Sequence, residues 1–267
     1  MSMDRREFLK LAGAGTLLGL AGAGLFERVT ERDIEAAVKR YTKDPSAMNA
    51  KRWAMVVDLR RFKTEEDYQR IIKACHSIHN VPDFGNPKDE IKWLWTETYG
   101  HAFPGQEHEF LPEWLETKFI PLLCNHCANP PCVRVCPVKA TFKSPDGITQ
   151  QDYHRCIGCR FCMAACPYGA RSFNWRDPRP FIKKINEEFP TRTKGVVEKC
   201  NFCTERLAKG LKPACVEESR GALIFGDLLD PASEVRQVLR KEFTVRRKAE
   251  LGTNPSVFYI IGGSENV

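Results

Sequence analysis

The chain has 267 residues, 42% of them hydrophobic and 28% charged, which is the composition of a folded protein and excludes a disordered tail. Its 41 Lys and Arg residues exceed its 34 Asp and Glu residues and give a formal net charge of +7, which alone is compatible with a nucleic-acid or membrane surface as partner. Twelve cysteines are many for this length. Because the length already allows a substantial core, disulfides are not needed to hold a miniature domain together, and the thiols require another explanation.

The first 26 residues have the layout of a twin-arginine export signal. Arg5-Arg6 stand in a charged start, and Leu11 to Phe26 form an apolar run that contains five glycines. This run is shorter than a membrane span, and its glycines weaken a helix further. We therefore expect export without a true transmembrane segment. Cleavage at the small residues 21–23 and retention of the signal as an anchor both stay open.

Local patterns predict short helices and strands along the rest of the chain. Thr30 stands three residues before Asp33, an arrangement that predicts a capped helix ending at Asp44-Pro45. The other predicted elements are a strand over 53–59, a helix over 65–74, a turn over 143–147 between two short strands, a helix from 230 to 241 and a strand over 257–261. We expect an α+β fold organised as much around buried cofactors as around a hydrophobic core.

Eleven of the twelve cysteines fall into three spaced runs. The run C-x2-C-x2-C-x3-C-P from Cys156 to Pro167 is the bacterial ferredoxin pattern, in which three thiolates hold one 4Fe-4S cluster and the fourth binds a neighbouring cluster. The run from Cys124 to Pro137 repeats this pattern with two additional residues before its third thiol. A sparser third copy, C-x2-C-x11-C, begins at Cys200.

Exchange of the fourth thiolate between paired repeats predicts three complete sites. Site 1 consists of Cys124, Cys127, Cys132 and Cys166, site 2 of Cys136, Cys156, Cys159 and Cys162, and site 3 of Cys75, Cys200, Cys203 and Cys215. The remaining outer site would use Ser219 and positions between Phe62 and Ile71, where no cysteine occurs, so we expect that it has lost every ligand. The twelve cysteines then account for three 4Fe-4S clusters with none left over.

Four thiolates per cluster leave no open iron for a substrate, which favours electron transfer over catalysis. The sequence contains no Ser/His/Asp elbow, P-loop or dinucleotide motif, so we expect no catalytic residue and no direct small-molecule substrate. Three oxidised clusters would contribute roughly −2 each, which brings the loaded protein close to neutrality and removes the main support for nucleic-acid binding. An exported module that binds zinc or forms disulfides is the alternative in another class.

Polar side chains near the cysteine runs are assigned ordinary roles. The basic residues that flank the motifs could favour reduced clusters electrostatically, but we interpret them as solvated, and these are Lys139, Arg155, Arg160, Arg171 and Lys199. The basic run 246–248 is interpreted as a solvated face. His126, between two cysteines of site 1, could hydrogen-bond a cluster sulfide, but the thiols already suffice as ligands. The six histidines show no regular metal spacing.

Several segments beyond the cysteine runs match one known group of proteins. Together with the export signal and both ferredoxin runs, they are 52–58, Cys75-His76 followed by 79–82, 198–203 and 225–228. With these features the chain resembles the extracytoplasmic ferredoxin-like subunits of quinone-coupled respiratory complexes, a group that includes HmcB-, NrfC- and PsrB-like proteins. Within that group it is most similar to the DsrO-type subunits of DsrMKJOP complexes of dissimilatory sulfur metabolism.

This resemblance implies a double bacterial-ferredoxin-like fold with two dicluster units, one of which has lost a cluster. It also implies a non-catalytic electron-transfer subunit on the extracytoplasmic, periplasmic face of the cytoplasmic membrane. The partners it implies are an NrfD-type, DsrP-like integral membrane subunit that handles quinone, a DsrJ-like multihaem cytochrome c and DsrMK-like subunits. The alternative within the group is the electron-transfer subunit of a molybdopterin reductase for polysulfide, thiosulfate or tetrathionate.

These interpretations divide the chain into six segments. They are the signal at 1–26, an N-terminal helix with a degenerate ferredoxin half-repeat at 27–75, an inserted surface subdomain at 76–118, a dicluster ferredoxin domain at 119–180, the third cysteine motif at 181–229 and a C-terminal helix and strand at 230–267.

Overall fold

The computed structural model describes residues 44–262, and those from Ser46 onward belong to one compact unit. The twin-arginine signal predicted at 1–26 and the helix predicted after Thr30 lie outside the described residues. Over 44–262, none of the helices has the length and apolar character that crossing a membrane requires. The described part carries all twelve cysteines.

Short helices and short strands alternate through the described residues. The helices are α1 (Glu65–Ile78), α2 (Tyr99–Ala102), α3 (Glu113–Glu116), α4 (Pro131–Arg134), α5 (Phe161–Ala164), α6 (Thr204–Leu207), α7 (Ala214–Glu218) and α8 (Glu234–Lys241). The strands are β1 (Trp53–Asp58), β2 (Leu94–Thr98), β3 (Phe119–Leu123), β4 (Thr141–Lys143), β5 (Thr149–Gln151), β6 (Ser172–Phe173), β7 (Val197–Glu198), β8 (Leu223–Asp227) and β9 (Val257–Ile260).

The largest sheet in this part of the chain has the order β8-β1-β9, with β1 antiparallel to β8 and parallel to β9. Every residue of β1 is buried, because both faces of the sheet are covered. Met55 and Val57 belong to the main core, whereas Ala54 and Val56 pack against α8 through Val235. Burial on two faces explains the unbroken apolar run in the sequence of this strand. The remaining strands form the antiparallel pairs β2-β3, β4-β5 and β6-β7.

The interpretation of 76–118 as an inserted surface subdomain needs correction. α1 continues past Cys75, and β2 pairs with β3, so the segment is part of the same compact unit. Trp93 and Trp95 are buried in the main core, while Trp114 is exposed. Large aromatic side chains bury more apolar area in a shared core than in a small core of their own, which favours this arrangement.

The other secondary structure predictions within the described residues are confirmed, although some elements begin or end at other residues than predicted. The predicted turn at 143–147 joins β4 and β5, which pair antiparallel. The closing strand ends at Ile260. The last helix begins at Glu234 and not at 230, because Asp230 accepts a hydrogen bond from the backbone of Ser233 in a turn before it. Proline at 231 therefore lies in this turn and not in the first turn of the helix.

Candidate iron-sulfur centres

The thiols of the two inner runs meet in two small cavities. One is lined by Cys124, Cys127, Cys132 and Cys166 of site 1, and the other by Cys136, Cys156, Cys159 and Cys162 of site 2. Each cavity contains three thiols of one run and the last thiol of the other, which is the grouping that ligand exchange predicts. Burial and the neighbouring Cys124 raise the pKa of Cys127 to about 12. At Cys136, burial is outweighed by hydrogen bonds from nearby backbone N–H groups, which lower the pKa of that thiol.

The isolated upstream cysteine joins the third run. Cys75 lies on α1, and its thiol interacts electrostatically with those of Cys215, Cys200 and Cys203. Contact between α1 and α7, which carries Cys215, brings these distant parts of the sequence together. All four side chains are buried, and burial raises the pKa of each thiol, that of Cys215 to about 12. The structure thus brings together the four residues assigned to site 3.

A repeated backbone conformation accompanies the paired cysteines. In the first C-x-x-C pair of each run the second intervening residue is left-handed: His126 at φ 41°, Gly158 at φ 69° and Phe202 at φ 56°. Non-glycine residues adopt this conformation rarely. Lys139 and Gly169, each three residues after the last cysteine of an inner run, are left-handed as well. The repeat that spacing predicts is therefore also present in the backbone, and it extends to the third run.

Site 1 lies between the other two sites. Cys124 of site 1 interacts with Cys200 of site 3, and Cys132 of site 1 interacts with Cys162 of site 2. Cys132 and Cys162 also share one apolar cluster with Val197. The three groups of thiols therefore follow one another in the order site 3, site 1, site 2.

Arg171 is buried between sites 1 and 2, so its interpretation as a solvated residue is wrong. Its side chain lines the cavity of site 1 and is 5% exposed. Its Nη1 donates to Thr141 Oγ1 at 3.2 Å and to Gln151 Oε1 at 3.1 Å, and both of these residues line the cavity of site 2. By contrast, the flanking residues Lys139, Arg155 and Arg160 are exposed, as the sequence led us to expect.

Lys199 is buried between sites 1 and 3, so its interpretation as solvated is also wrong. Its side chain is 1% exposed. Its Nζ donates to the carbonyl oxygen of Cys200 at 2.6 Å and to the carbonyl oxygen of Thr149, which lines the cavity of site 1. Burial lowers the pKa of Lys199, and the nearby Cys124 opposes that shift. Its position results from the third run following β7 directly.

The buried charges and donors fit a 4Fe-4S cluster. Among the described residues, neither Arg171 nor Lys199 forms an ion pair with a carboxylate, and the negative charges that act on them are those of cysteine thiolates. An uncompensated buried cation is costly, and neutral thiols do not offset that cost, whereas a cluster with four thiolate ligands is anionic. Nη2 of Arg171 is buried without a hydrogen-bond partner in the described part of the chain. A donor set of four thiolates beside unpaired cations matches the requirements of this cofactor.

His126 has the properties of a hydrogen-bond donor and not of a ligand. Its ring is fully buried and stacks on that of Phe202 with 3.7 Å between the ring centroids. Its Nδ1 accepts a hydrogen bond from the backbone N–H of Thr149. The neutral ring therefore carries its proton on Nε2, which has no partner within 44–262. Burial, followed by the charges of Lys199 and Arg171, keeps the pKa of His126 well below its usual value.

Sequence reasoning missed His79. This buried side chain contacts Glu205 Oε1 through Nε2 at 2.9 Å and the Cys75 thiol through Nδ1 at 3.7 Å. His79, Glu205 and Cys203 could together hold a metal ion, but Cys203 already belongs to site 3, so the group forms part of that site. The four-residue spacing from Cys75 to His79 was the available signal, because it places both on one face of a helix.

The basic run 246–248 is likewise not a simple solvated face. Arg247 is buried, donates from Nε to the carbonyl oxygen of Ala102 at 2.8 Å and lies over the ring of Tyr168. Lys248 donates from Nζ to the carbonyl oxygen of Pro167 at 2.7 Å. The run therefore fixes the turn that follows the last cysteine of site 1.

At the fourth, outer position, the residues that stand in place of cysteines have partners within the protein. Phe62 and Tyr68, which belong to the segment without thiols, stack at 4.9 Å between ring centroids. Ser219, at the place of the missing cysteine, donates to the carbonyl oxygen of Val216 at 2.7 Å and accepts from the backbone N–H of Leu223 at 3.0 Å. Its hydroxyl is satisfied internally, and the aromatic pair occupies the positions where the sequence lacks thiols.

Comparison with known proteins agrees with this geometry. Residues 115–228 match a family model described as a 4Fe-4S dicluster domain. The chain is 42% identical to the "Hdr-like menaquinol oxidoreductase iron-sulfur subunit 1" of Archaeoglobus fulgidus, over 98% of this chain and 100% of the relative. This protein belongs to the family of 4Fe-4S electron-transfer subunits. Together with the cysteines, the match shows 4Fe-4S cluster binding and a ferredoxin-like fold.

Other members of this electron-transfer subunit family are similar over most of their length. A subunit of the tetrathionate reductase of Salmonella typhimurium is 36% identical over 97% of this chain and 89% of the relative. The "Menaquinone reductase, iron-sulfur cluster-binding subunit" of Nitratidesulfovibrio vulgaris is 34% identical over 78% of this chain and 88% of the relative. The relatives are thus subunits of several different oxidoreductase complexes.

Proposed function

We propose that the chain carries three 4Fe-4S clusters, one in each of sites 1, 2 and 3, and relays single electrons through them. The observation that carries this proposal is the grouping of twelve thiols into three sets of four, with Cys75 beside the third run. A 4Fe-4S cluster supplies one-electron redox chemistry. The chain itself supplies four thiolates per site, excludes water from site 3 and holds the sites in a row.

We further propose that the relay connects an NrfD-type, DsrP-like quinone-reactive membrane subunit with a second redox partner in a DsrMKJOP-like complex of sulfur metabolism. The proposed partners are a DsrJ-like multihaem cytochrome c and DsrMK-like subunits, on the extracytoplasmic face of the membrane. Full-length similarity to a subunit of a menaquinol oxidoreductase supports a quinone-linked complex. The export signal predicted at 1–26 supports the location.

A molybdopterin reductase is the second candidate for the complex. Its support is the similarity to the tetrathionate reductase subunit and to a subunit of the polysulfide reductase of Wolinella succinogenes, the latter 42% identical over 51% of this chain and 64% of the relative. Affinity purification of the tagged protein from solubilised membranes separates the two candidates. Recovery of a molybdopterin subunit in place of cytochrome c and DsrMK-type subunits would reject the first.

The number of clusters is tested by anaerobic assay of iron and acid-labile sulfide. We expect about 12 of each per chain, and about 8 after Cys75→Ala, since that variant removes one ligand of site 3 only. The matched control is Ser77→Ala, two residues further along on the exposed face of α1, which should retain the full content. A wild-type value near 8 that Cys75→Ala leaves unchanged would reject a cluster in site 3, and a colourless protein would reject clusters altogether.

A further inference from the structure

Arg171 and Lys199 occupy the two gaps in the row of thiol sites. We propose that these two buried cations set the reduction potentials of the centres beside them, Arg171 acting on sites 1 and 2 and Lys199 acting on sites 1 and 3. Site 1, in the middle, receives both positive charges, and each outer site receives one. The inference rests on the proposed function, because it requires the three clusters.

The position of Arg171 is defined by its place in the lining of the site 1 cavity and by its contacts with residues that line the site 2 cavity. The guanidinium reaches the cavity of site 1 and is held by Thr141 and Gln151 from the cavity of site 2. Arginine is permanently charged in proteins. The thiols that interact electrostatically with it are Cys132, Cys124 and Cys166 of site 1 and Cys162 of site 2.

Lys199 lies between sites 1 and 3 and contacts residues at both sites. Its Nζ lies between the carbonyl oxygen of Thr149 at site 1 and that of Cys200 at site 3. Two carbonyl oxygens accept hydrogen bonds from it but do not neutralise its charge. Its thiol neighbours are Cys124, Cys132 and Cys200, which belong to sites 1 and 3 and not to site 2.

Another buried cation of this protein is paired with a carboxylate, in contrast to Arg171 and Lys199. Arg192 is fully buried and pairs with Glu198 at 2.5 Å. Glu198 directly precedes Lys199 in the sequence, yet its carboxylate faces Arg192 and not Lys199. Within the described residues, Lys199 and Arg171 are therefore without a carboxylate although one lies next in sequence, and their charge remains available to the clusters.

The electrostatic consequence has a defined sign and range. Reduction adds one negative charge to a cluster, and a nearby cation in a medium of low dielectric constant stabilises that charge and raises the potential. The effect falls with distance, so each cation acts on its two adjacent sites more than on the third. An exposed cation such as Arg155 is screened by water and salt, although it directly precedes the ferredoxin run.

The test is an anaerobic redox titration of the cluster-loaded protein, followed by electron paramagnetic resonance. Signals are assigned with Cys75→Ala, which removes site 3, and Cys159→Ala, which removes site 2. Arg171→Met should lower the potentials of sites 1 and 2, and Lys199→Met those of sites 1 and 3, each by about a tenfold change in equilibrium constant, or ~59 mV for one electron. Arg171→Lys retains the charge and should retain the potentials, and Arg155→Met, at an exposed side chain, is the control.

The pattern across sites decides the outcome. Equal shifts at all three sites, no shift at any site, or the same shift with Arg171→Lys as with Arg171→Met would overturn the proposal. Arg171→Gln and Lys199→Gln are titrated in parallel, so that the comparison stands if methionine disturbs the packing. Iron content is measured first: a wild-type protein without clusters rejects the proposed function, whereas three retained clusters with unshifted potentials reject this inference alone.

Discussion

Glu198 and Arg192 form an ion pair that solvent does not reach. Their Oε2 and Nη2 atoms lie 2.5 Å apart, and both side chains are 0% exposed. Glu198 also accepts a hydrogen bond from Trp93 Nε1 at 2.9 Å, and Arg192 donates to the carbonyl oxygen of Asn80 at 2.9 Å. Since Cys200 follows two residues after Glu198, the pair ties the start of the third cysteine run to the segment just after α1.

Glu198→Gln should destabilise the protein strongly. The substitution leaves Arg192 buried without an opposite charge, a change that costs about 3–5 kcal/mol in comparable cases. We expect a lower midpoint in anaerobic thermal unfolding of the loaded protein and loss of iron from site 3 before the other sites. The control is Asp83→Asn, which removes an exposed pair with Lys183 and should not move the midpoint. A midpoint for Glu198→Gln equal to that of the control would contradict this interpretation.

Two glycines, one within the run from Cys156 to Pro167 and one just after it, allow a matched comparison. Gly158 and Gly169 have nearly the same φ, 69° and 63°, but a Cβ at Gly158 would clash with the carbonyl oxygen of Gly195, whereas a Cβ at Gly169 would meet no atom within 4 Å. Both alanine variants carry the left-handed cost of about 1–2 kcal/mol. Only Gly158→Ala should also displace the loop of site 2 and lower its iron content. Similar iron contents in the two variants would show that the clash is relieved without moving the thiols.

The positions of the thiols could be predicted from sequence because ligand spacing is a local property. Short loops allow few arrangements around one cofactor, so the first three cysteines of the runs beginning at Cys124 and Cys156 each define a group, and ligand exchange between the runs adds the fourth. β1 and the hairpin around 143–147 were predictable for the same reason, from local apolar and turn patterns. The pairing of Cys75 with the third run could be predicted from the symmetry of the repeats alone.

Burial of charge could not be predicted in this way. Arg171 and Arg160 both flank a cysteine run, yet one is buried and the other exposed. The difference comes from Thr141 and Gln151, which accept hydrogen bonds from Arg171. Both are uncharged and belong to a hairpin 20 or more residues away in the sequence. Such partners are set by tertiary packing, so sequence position alone gave the same interpretation to both residues.

Ser219→Cys should not restore a fourth cluster. A single added thiol supplies one ligand where four are required, and the segment from Phe62 to Ile71 that would supply the others contains no cysteine. The variant also weakens hydrogen bonds to the backbone of residues 216 and 223, at a cost of about 1–3 kcal/mol. We expect unchanged iron content and a lower thermal midpoint, with Ser77→Ala on the exposed face of α1 as control. A gain of iron would show that the outer position can still form a site.

Oxidative damage should begin at site 2, because its thiols are the least protected from solvent. Cys136, Cys156 and Cys159 are half-buried, and the neighbouring Ile157 is 64% exposed, whereas all four thiols of site 3 are buried.

On controlled exposure of the loaded protein to air, we expect the first loss to be about four iron atoms per chain, the content of one cluster. Quenching with iodoacetamide and peptide mapping should then find alkylation at Cys156 and Cys159 while Cys200 and Cys215 remain unlabelled, because a released thiolate reacts only where the reagent can reach it. The measurement contains its own control, since both sets of cysteines are read from one digest. Early labelling at Cys200 or Cys215 would mean that site 3 opens to solvent more readily than its burial indicates.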